Sequence, residues 1–330
     1  MSECPLPAVG DDFLNNGPRY LELSNEEIEK RANIIAMKAE EKGLCALDPE
    51  EREYYKYYLF KHAYKLNSKG EAVKPIHASI ADLVLCDLRI FILYNDLYIY
   101  DPRDGAYKLD NDAQELRHRI RSFLNREFVE DKTICSICNL IMNDRRYMIR
   151  ADQVNNRPAH WIHFKNGYYD YLDDVVRPHN PDYNDVSVIP WDYEPYRYPC
   201  NYKYVKQGKG LLQETVTESL LFDAWIERAI PNYNDRVMLY QYIAYAMTLR
   251  TNEQKFLLIC GPGGTGKSTL LKLIEEIIGA SNVSGISLQG LQERFGQIGL
   301  FLKQANICAD IPLSALNEVD MIKNSRERIP

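Results

Sequence analysis

Gly261-Pro262-Gly263-Gly264-Thr265-Gly266-Lys267-Ser268-Thr269 is the stretch on which the reading of this 330-residue chain turns. It satisfies the spacing G-x-x-x-x-G-K-[ST] at every defined position. Upstream lies an apolar run, Lys255-Phe256-Leu257-Leu258-Ile259-Cys260. Downstream, Leu270-Leu271-Lys272-Leu273-Ile274-Glu275-Glu276-Ile277-Ile278 closes at Gly279. The first run reads as a buried strand and the second as a helix with a glycine stop. Strand, glycine loop and helix are the context the motif requires. They point to an α/β nucleotide-binding core whose ligand is a nucleoside triphosphate with Mg²⁺.

The chemistry explains the residue types. A triphosphate concentrates negative charge, so its site needs many donors and little bulk. Gly263, Gly264 and Gly266 let the backbone curl through positive φ and turn successive N–H groups inward. The helix beginning near Lys267 adds its unpaired N–H groups and the positive end of its dipole. Lys267 is expected at the β- and γ-phosphates, Ser268 on Mg²⁺, and Thr269 toward the α-phosphate. A carboxylate on a second strand would complete the magnesium shell. Ala305-Asn306-Ile307-Cys308-Ala309 followed by Asp310 reads as a short buried parallel strand delivering one. The competing reading has Asp310 opening a turn before Pro312.

Composition bounds the rest. The length suggests about two domains. The net charge of −7 carries no global basic signature for nucleic acid. The eight cysteines are scattered, and the one close pair, Cys135-x-x-Cys138, has no second pair at zinc spacing. Buried free thiols in a helical stretch, in a reducing cytoplasm, fit this usage better. No apolar run approaches the ~20 residues of a membrane span, and Met1-Ser2-Glu3-Cys4-Pro5 does not open a signal peptide.

Along the chain, Ser24 with Glu27 reads as a capping box opening a charged helix to about Lys42. A tyrosine-rich helical stretch spans Pro49 to Tyr64. Its tyrosines suit packing better than base stacking. Arg89–Tyr94 and Leu97–Asp101 read as strands around an Asn95-Asp96 turn. Helices are expected over Ala113–Asn125 and Lys132–Asn143. Trp161–Phe164, Asn166-Gly167 and Tyr168–Leu172 read as a hairpin, and Val186–Ile189 as a further strand. A boundary is placed near Tyr198–Gly210, followed by mostly helical sequence from Leu211 to Leu249.

Several segments, taken in order, carry a resemblance. They are Leu97-Tyr98-Ile99-Tyr100 with Gly105 and Tyr107; Ile162-x-Phe164-x-Asn166-Gly167-Tyr168-Tyr169-Asp170 with Pro178-His179-Asn180-Pro181; and Ile189-Pro190-Trp191-Asp192-Tyr193. Further on come Tyr242-Ile243-Ala244-Tyr245-Ala246-Met247-Thr248, the glycine loop, Ile286-Ser287-Leu288-Gln289 with Arg294-Phe295, and Leu302-Lys303 leading into Asn306–Asp310. Over roughly residues 80 to 320 the chain resembles the phage and plasmid primase–helicases related to the poxvirus-type primase–helicase. Their motor is a superfamily III helicase of the AAA+ group.

The resemblance implies a charged helical region over 1–80, an α+β primase–helicase N-terminal-like domain over 81–204, and a P-loop ATPase domain over 205–330 that opens with a helical bundle. It implies ATP and Mg²⁺ as ligands, with Lys267 and Asp310 in catalytic roles. Gly261 through Thr269 would bind nucleotide, and Ser268 and Asp310 would hold the metal. It further implies single-stranded or forked DNA as partner, a homo-hexamer when intact, and the cytoplasm of a bacterial or phage-infected cell. After Met321-Ile322-Lys323 the chain departs from the family's order. The DNA hairpin, polar sensor strand and arginine finger do not follow, and Arg326 and Arg328 suit a frayed end better. The expectation is therefore a C-terminally truncated copy with an incomplete ATPase sheet. Two alternatives to an ATP-driven DNA helicase subunit stay open: a non-catalytic nucleotide-binding remnant, and a small-molecule kinase using the same loop. The region before residue 80 lacks the acidic cluster of a primase.

Overall fold

The computed structural model describes residues 24–44, 47–195, 218–287, 289–293 and 295–308. Contacts divide the chain into two compact units. One holds the residues up to Asp101 together with Tyr107–Val154, and the other Pro102–Ala106 with the residues from Asn155 on.

The first unit is helical with one small sheet. Helix α1 (Asn25–Lys42) starts at the expected capping box: Glu27 N–H donates to Ser24 Oγ at 3.3 Å, and Ser24 N–H donates to Glu27 Oε2 at 2.9 Å. Helix α2 (Pro49–Lys61) repeats the device with Asp48 and Glu51. Its tyrosines went to packing, since Tyr54 and Tyr55 are buried in the core. Tyr64 falls instead in a hairpin the sequence reading did not anticipate, β1 (Tyr64–Leu66) with β2 (Ala72–Pro75). Helix α3 (His77–Asp87) buries Ile80, Ala81, Leu83, Val84, Leu85 and Cys86.

The three-stranded sheet runs β3 (Ile90–Leu93), β4 (Asp96–Asp101) and β5 (Ala106–Leu109). The two expected strands are there, but their turn lies one residue earlier. Leu93 pairs with Asp96, and Tyr94 and Asn95 take positive φ of 52° and 71°. That is the backbone of a type I′ turn, whose twist matches the flanking strands. Side chains alternate across the sheet. Ile90, Ile92, Leu97 and Ile99 join the helical core. On the other face Phe91 lies 4.7 Å from both Tyr98 and Tyr107 by ring centroids. Helices α4 (Gln114–Phe123) and α5 (Asp131–Met142) complete this unit. Cys138 is buried on α5 and Cys135 half-buried, both as free thiols.

The second unit begins with an antiparallel sheet of β6 (Trp161–Phe164), β7 (Gly167–Asp170) and β8 (Val175–Arg177). Here too the hairpin forms one residue off the expected turn. Phe164 pairs with Gly167, so Lys165-Asn166 is the two-residue loop. Gly167 opens the strand, and it is glycine for a steric reason: its φ is +143°, and a Cβ there would lie 2.5 Å from the Arg177 carbonyl oxygen of β8. The Asn166 side chain clamps Tyr193, accepting from its N–H and donating to its C=O at 2.9 Å each. Val186–Ile189 makes no strand; a single bridge joins Phe164 and Ile189.

Beyond the boundary segment, α6 (Glu218–Ala229) and α7 (Tyr233–Ala246) pack with α8 (Lys267–Ile278) around Ile226, Leu239, Ile243, Leu270, Ile274 and Ile278. β9 (Val283–Ser284) and β10 (Ala305–Asn306) form a short parallel pair. Residues 255–260 form no strand among the described residues. Their side chains still alternate, with Leu257 and Ile259 packed on the core and Phe256 and Leu258 exposed. The C-terminal end of α8 is tied to the segment after β8: Trp191 Nε1–H donates to Glu276 O at 2.9 Å, and Asn282 Nδ2–H to Val188 O at 2.7 Å.

Candidate functional site

The site is built from three pieces of the second unit. The first is the 255–260 run, which brings the chain to Gly261 along one side of the core. The second is the loop itself. Gly264 and Gly266 take φ of +76° and +87°, the left-handed conformation anticipated for the curl. A Cβ on Gly263 or Gly264 would meet nothing within 4 Å, so this side of the loop is open. Thr265 Oγ1–H closes the turn by donating to Pro262 O at 2.9 Å. The third piece is α8, which starts at Lys267 with Gly266 as N-cap and no capping side chain. Its first N–H groups therefore remain available to an anion. Leu270, Ile274 and Ile278 anchor its inner face at i, i+4 and i+8.

Lys267 is turned back into the loop. Its ammonium donates to Gly261 O at 2.8 Å and Pro262 O at 2.6 Å, with Thr265 Oγ1 at 3.5 Å. Gly261, Pro262, Thr265 and Lys267 are thus in mutual contact. Ser268 and Thr269 are exposed on the first turn of α8. The expectation for Asp310 lies outside the described residues, as do those for Arg294, Met321–Lys323, Arg326 and Arg328. The last described strand before Asp310 in the sequence is β10. Its Asn306 holds the segment after β9 by accepting from Ile286 N–H and donating to Ile286 O, both at 2.9 Å. Between Lys255 and Leu257 on one side and Gln304–Cys308 on the other lies a cavity of about 260 Å³, lined also by Leu271, Ile274 and Ile278 of α8. Both polar side-chain atoms of Gln304 are buried there without a hydrogen-bond partner.

One contact escaped the sequence reading. The indole of Trp225, on α6, lies against the loop's last glycine: a Cβ on Gly266 would come within 3.2 Å of Trp225 Cζ2. No spacing rule links residues 41 apart, and an aromatic on a helix reads simply as core.

A second polar centre of this unit surrounds β6. Arg157 Nη1 pairs with Asp185 Oδ1 at 2.5 Å, both side chains almost completely buried. His163 sits beside them, its Nδ1 3.6 Å from Asp185 Oδ2 and 3.1 Å from Ser187 O. Its Nε2 faces His179 Nδ1 at 3.2 Å. Burial, then the charge of Arg157, push the His163 ring down to about 2, so it is neutral. Burial raises the Asp185 carboxyl, with Arg157 opposing. Nearby, Asp170 accepts from Arg177, the Trp161 indole and two backbone N–H groups. Burial would raise its carboxyl, but these donors, Arg177 foremost, hold it at about 2. The centre is enclosed and built around a buried ion pair, with Arg157 Nη2 and Asp185 Oδ2 left without a hydrogen-bond partner. Among the described residues no three His, Cys, Asp or Glu side chains gather as a metal site.

The site is thus a glycine loop opening a helix, with the Lys267 ammonium folded into it. The comparisons then place the chain. Residues 50–231 match the D5 N terminal like family, and the chain belongs to that family. This supports the resemblance to phage and plasmid primase–helicases and points to a primase–helicase-like replication protein. Residues 259–325, which include the glycine loop, match a family of unknown function, DUF5906. No curated protein matches the chain. No helix among the described residues is long and apolar enough to cross a membrane.

Proposed function

We propose that this chain binds ATP with Mg²⁺ at residues 261–269 and serves as the ATP-driven helicase subunit of a phage- or plasmid-type replication system. One observation carries the reading: left-handed Gly264 and Gly266 lead straight into α8 with Lys267 at its first position. Backbone N–H groups of the loop and of the first turn of α8 would cradle the phosphates. On binding, Lys267 would exchange the Gly261 and Pro262 carbonyls for the β- and γ-phosphates. Ser268 would hold Mg²⁺, with Asp310 as the second-strand carboxylate. Single-stranded or forked DNA is the proposed track, and a homo-hexamer the proposed assembly.

The test is calorimetric titration with Mg·ATP, followed by phosphate release with and without single-stranded DNA, on wild type and Lys267→Ala. Binding and DNA-stimulated turnover, both lost in the variant, support the motor. Binding without turnover reduces the proposal to a nucleotide-binding remnant. Phosphate transfer to a metabolite, indifferent to DNA, replaces it with a kinase. No binding refutes the site.

A further inference from the structure

We propose that Trp225 is a positioning residue of the glycine loop, one that holds the Gly266 turn in place and registers its occupancy by polyphosphate. The inference rests on the nucleotide-binding reading above and adds a residue that the loop motif does not contain.

Three observations meet at this indole. Trp225 Cζ2 and Cε2 lie 3.2 and 3.9 Å from where a Gly266 Cβ would be, so the six-membered edge of the indole covers the Gly266 backbone. Gly266 is the hinge of the site, because its φ of +87° turns the chain from loop into α8. The indole itself is half-buried and packed on the Ile226, Leu239, Ile243, Leu270, Ile274 and Ile278 core, so it is fixed from behind. Gly266 is therefore glycine twice over: its φ disfavours a side chain, and a Cβ would press on the indole at 3.2 Å.

The consequence is mechanical. The two carbonyls that bind Lys267 in this structure, Gly261 and Pro262, belong to the same turn that Thr265 Oγ1 closes. When phosphate oxygens take over the ammonium, the backbone between Pro262 and Gly266 re-forms around the anion. Gly266 lies against a large side chain that is packed on the core. Any shift of its peptide plane changes the surroundings of the indole and passes to α6. Conversely, a rigid indole at this point limits the loop to fewer conformations and so lowers the ordering cost of binding.

Tryptophan emission reads this directly, since the chain has only three tryptophans. Mg·ADP, Mg·ATP and inorganic pyrophosphate are titrated into wild type, Trp225→Phe, Trp161→Phe and Trp191→Phe, with calorimetry in parallel. The expected result is a ligand-dependent emission change in wild type and in the Trp161 and Trp191 variants. In Trp225→Phe it should be absent although heat is still released. Trp225→Ala should bind Mg·ATP about tenfold more weakly, with Trp225→Phe near wild type, because a flat ring restores the brace. If Trp225→Ala does not fold, Trp225→Leu takes its place. Persistence of the emission change in Trp225→Phe overturns the inference alone, as does wild-type affinity without the ring. Absence of heat with every ligand in wild type overturns the nucleotide reading, and this inference with it.

Discussion

Replacing Asp185 with Ala removes the partner of a buried guanidinium. The Arg157 side chain is 0% exposed, and its Nη1 is held by Asp185 Oδ1 at 2.5 Å. Nε finds a single carbonyl, Trp161 O, at 3.2 Å, and Nη2 has no partner. Without the carboxylate, the positive charge stays buried with one weak acceptor. Breaking a buried pair from one side costs about 3–5 kcal/mol. For a unit of roughly 150–250 residues, each kcal/mol moves the melting temperature by about 2–4 °C, so a drop of about 6–20 °C is expected. Asp185→Asn keeps an acceptor and should fall between the two. The double change Arg157→Met with Asp185→Leu should return to within about 2 kcal/mol of wild type, because an apolar pair of similar volume removes the stranded charge. Thermal melts and urea unfolding by circular dichroism, with second-unit amides followed by hydrogen exchange, give the values. An Asp185→Ala loss under about 1 kcal/mol would refute the argument, since it would mean that water reaches Arg157 in the fold.

His163 stays neutral to about 2, chiefly through burial, whereas an unfolded histidine takes up its proton near 6.5. Its contribution to stability is therefore present above that pH and declines as acid is added. Melting curves from pH 7 to 4 should show this slope, and His163→Asn should flatten it. Asp82 is the opposite case: burial, opposed by Arg146, raises its carboxyl to about 6, so the fold favours its protonated form and loses stability as pH rises from about 4 to 6. Asp82→Asn should raise the melting temperature of the first unit at pH 7.5 and leave it unchanged at pH 4. Gly167→Ala places a methyl group against the Arg177 carbonyl at positive φ. A loss of about 1–3 kcal/mol is expected in urea unfolding, and an unchanged midpoint would show that β8 yields.

Sequence was most informative where local chemistry acts alone. The Ser24–Glu27 box, the two hairpins and the start of α8 at Lys267 follow from residues a few positions apart. It was less informative where a distant element intervenes. The turn at Tyr94-Asn95 overrode the Asn95-Asp96 reading because strand pairing, not turn propensity, set the register. Gly167 reads as a turn glycine until β8 is seen crossing it. Helix α3 carries little amphipathic signal, because Ile80, Ala81, Leu83, Val84, Leu85 and Cys86 are buried almost all round the helix. Val186–Ile189 has a strand's composition, yet it contributes one bridge and a carbonyl to His163. Of the glycine loop, the left-handed Gly264 and Gly266 and the helix start were legible, whereas Gly263 does not take positive φ and the run before the loop forms no strand. The placement of Trp225 against it and the pairing of Arg157 with Asp185 depend on chain returning from far away.

The ammonium folded onto Gly261 and Pro262 gives the loop a threshold. A newcomer must compete with two short hydrogen bonds the lysine already makes to its own chain. A lone sulfate or orthophosphate, meeting a few backbone donors, has little to offer in exchange. A chain of linked phosphates can engage the helix start and the lysine at once, and so can displace those carbonyls. If the loop takes phosphates as proposed, selectivity for polyphosphate over single anions would arise from an internal rival rather than from the shape of the opening.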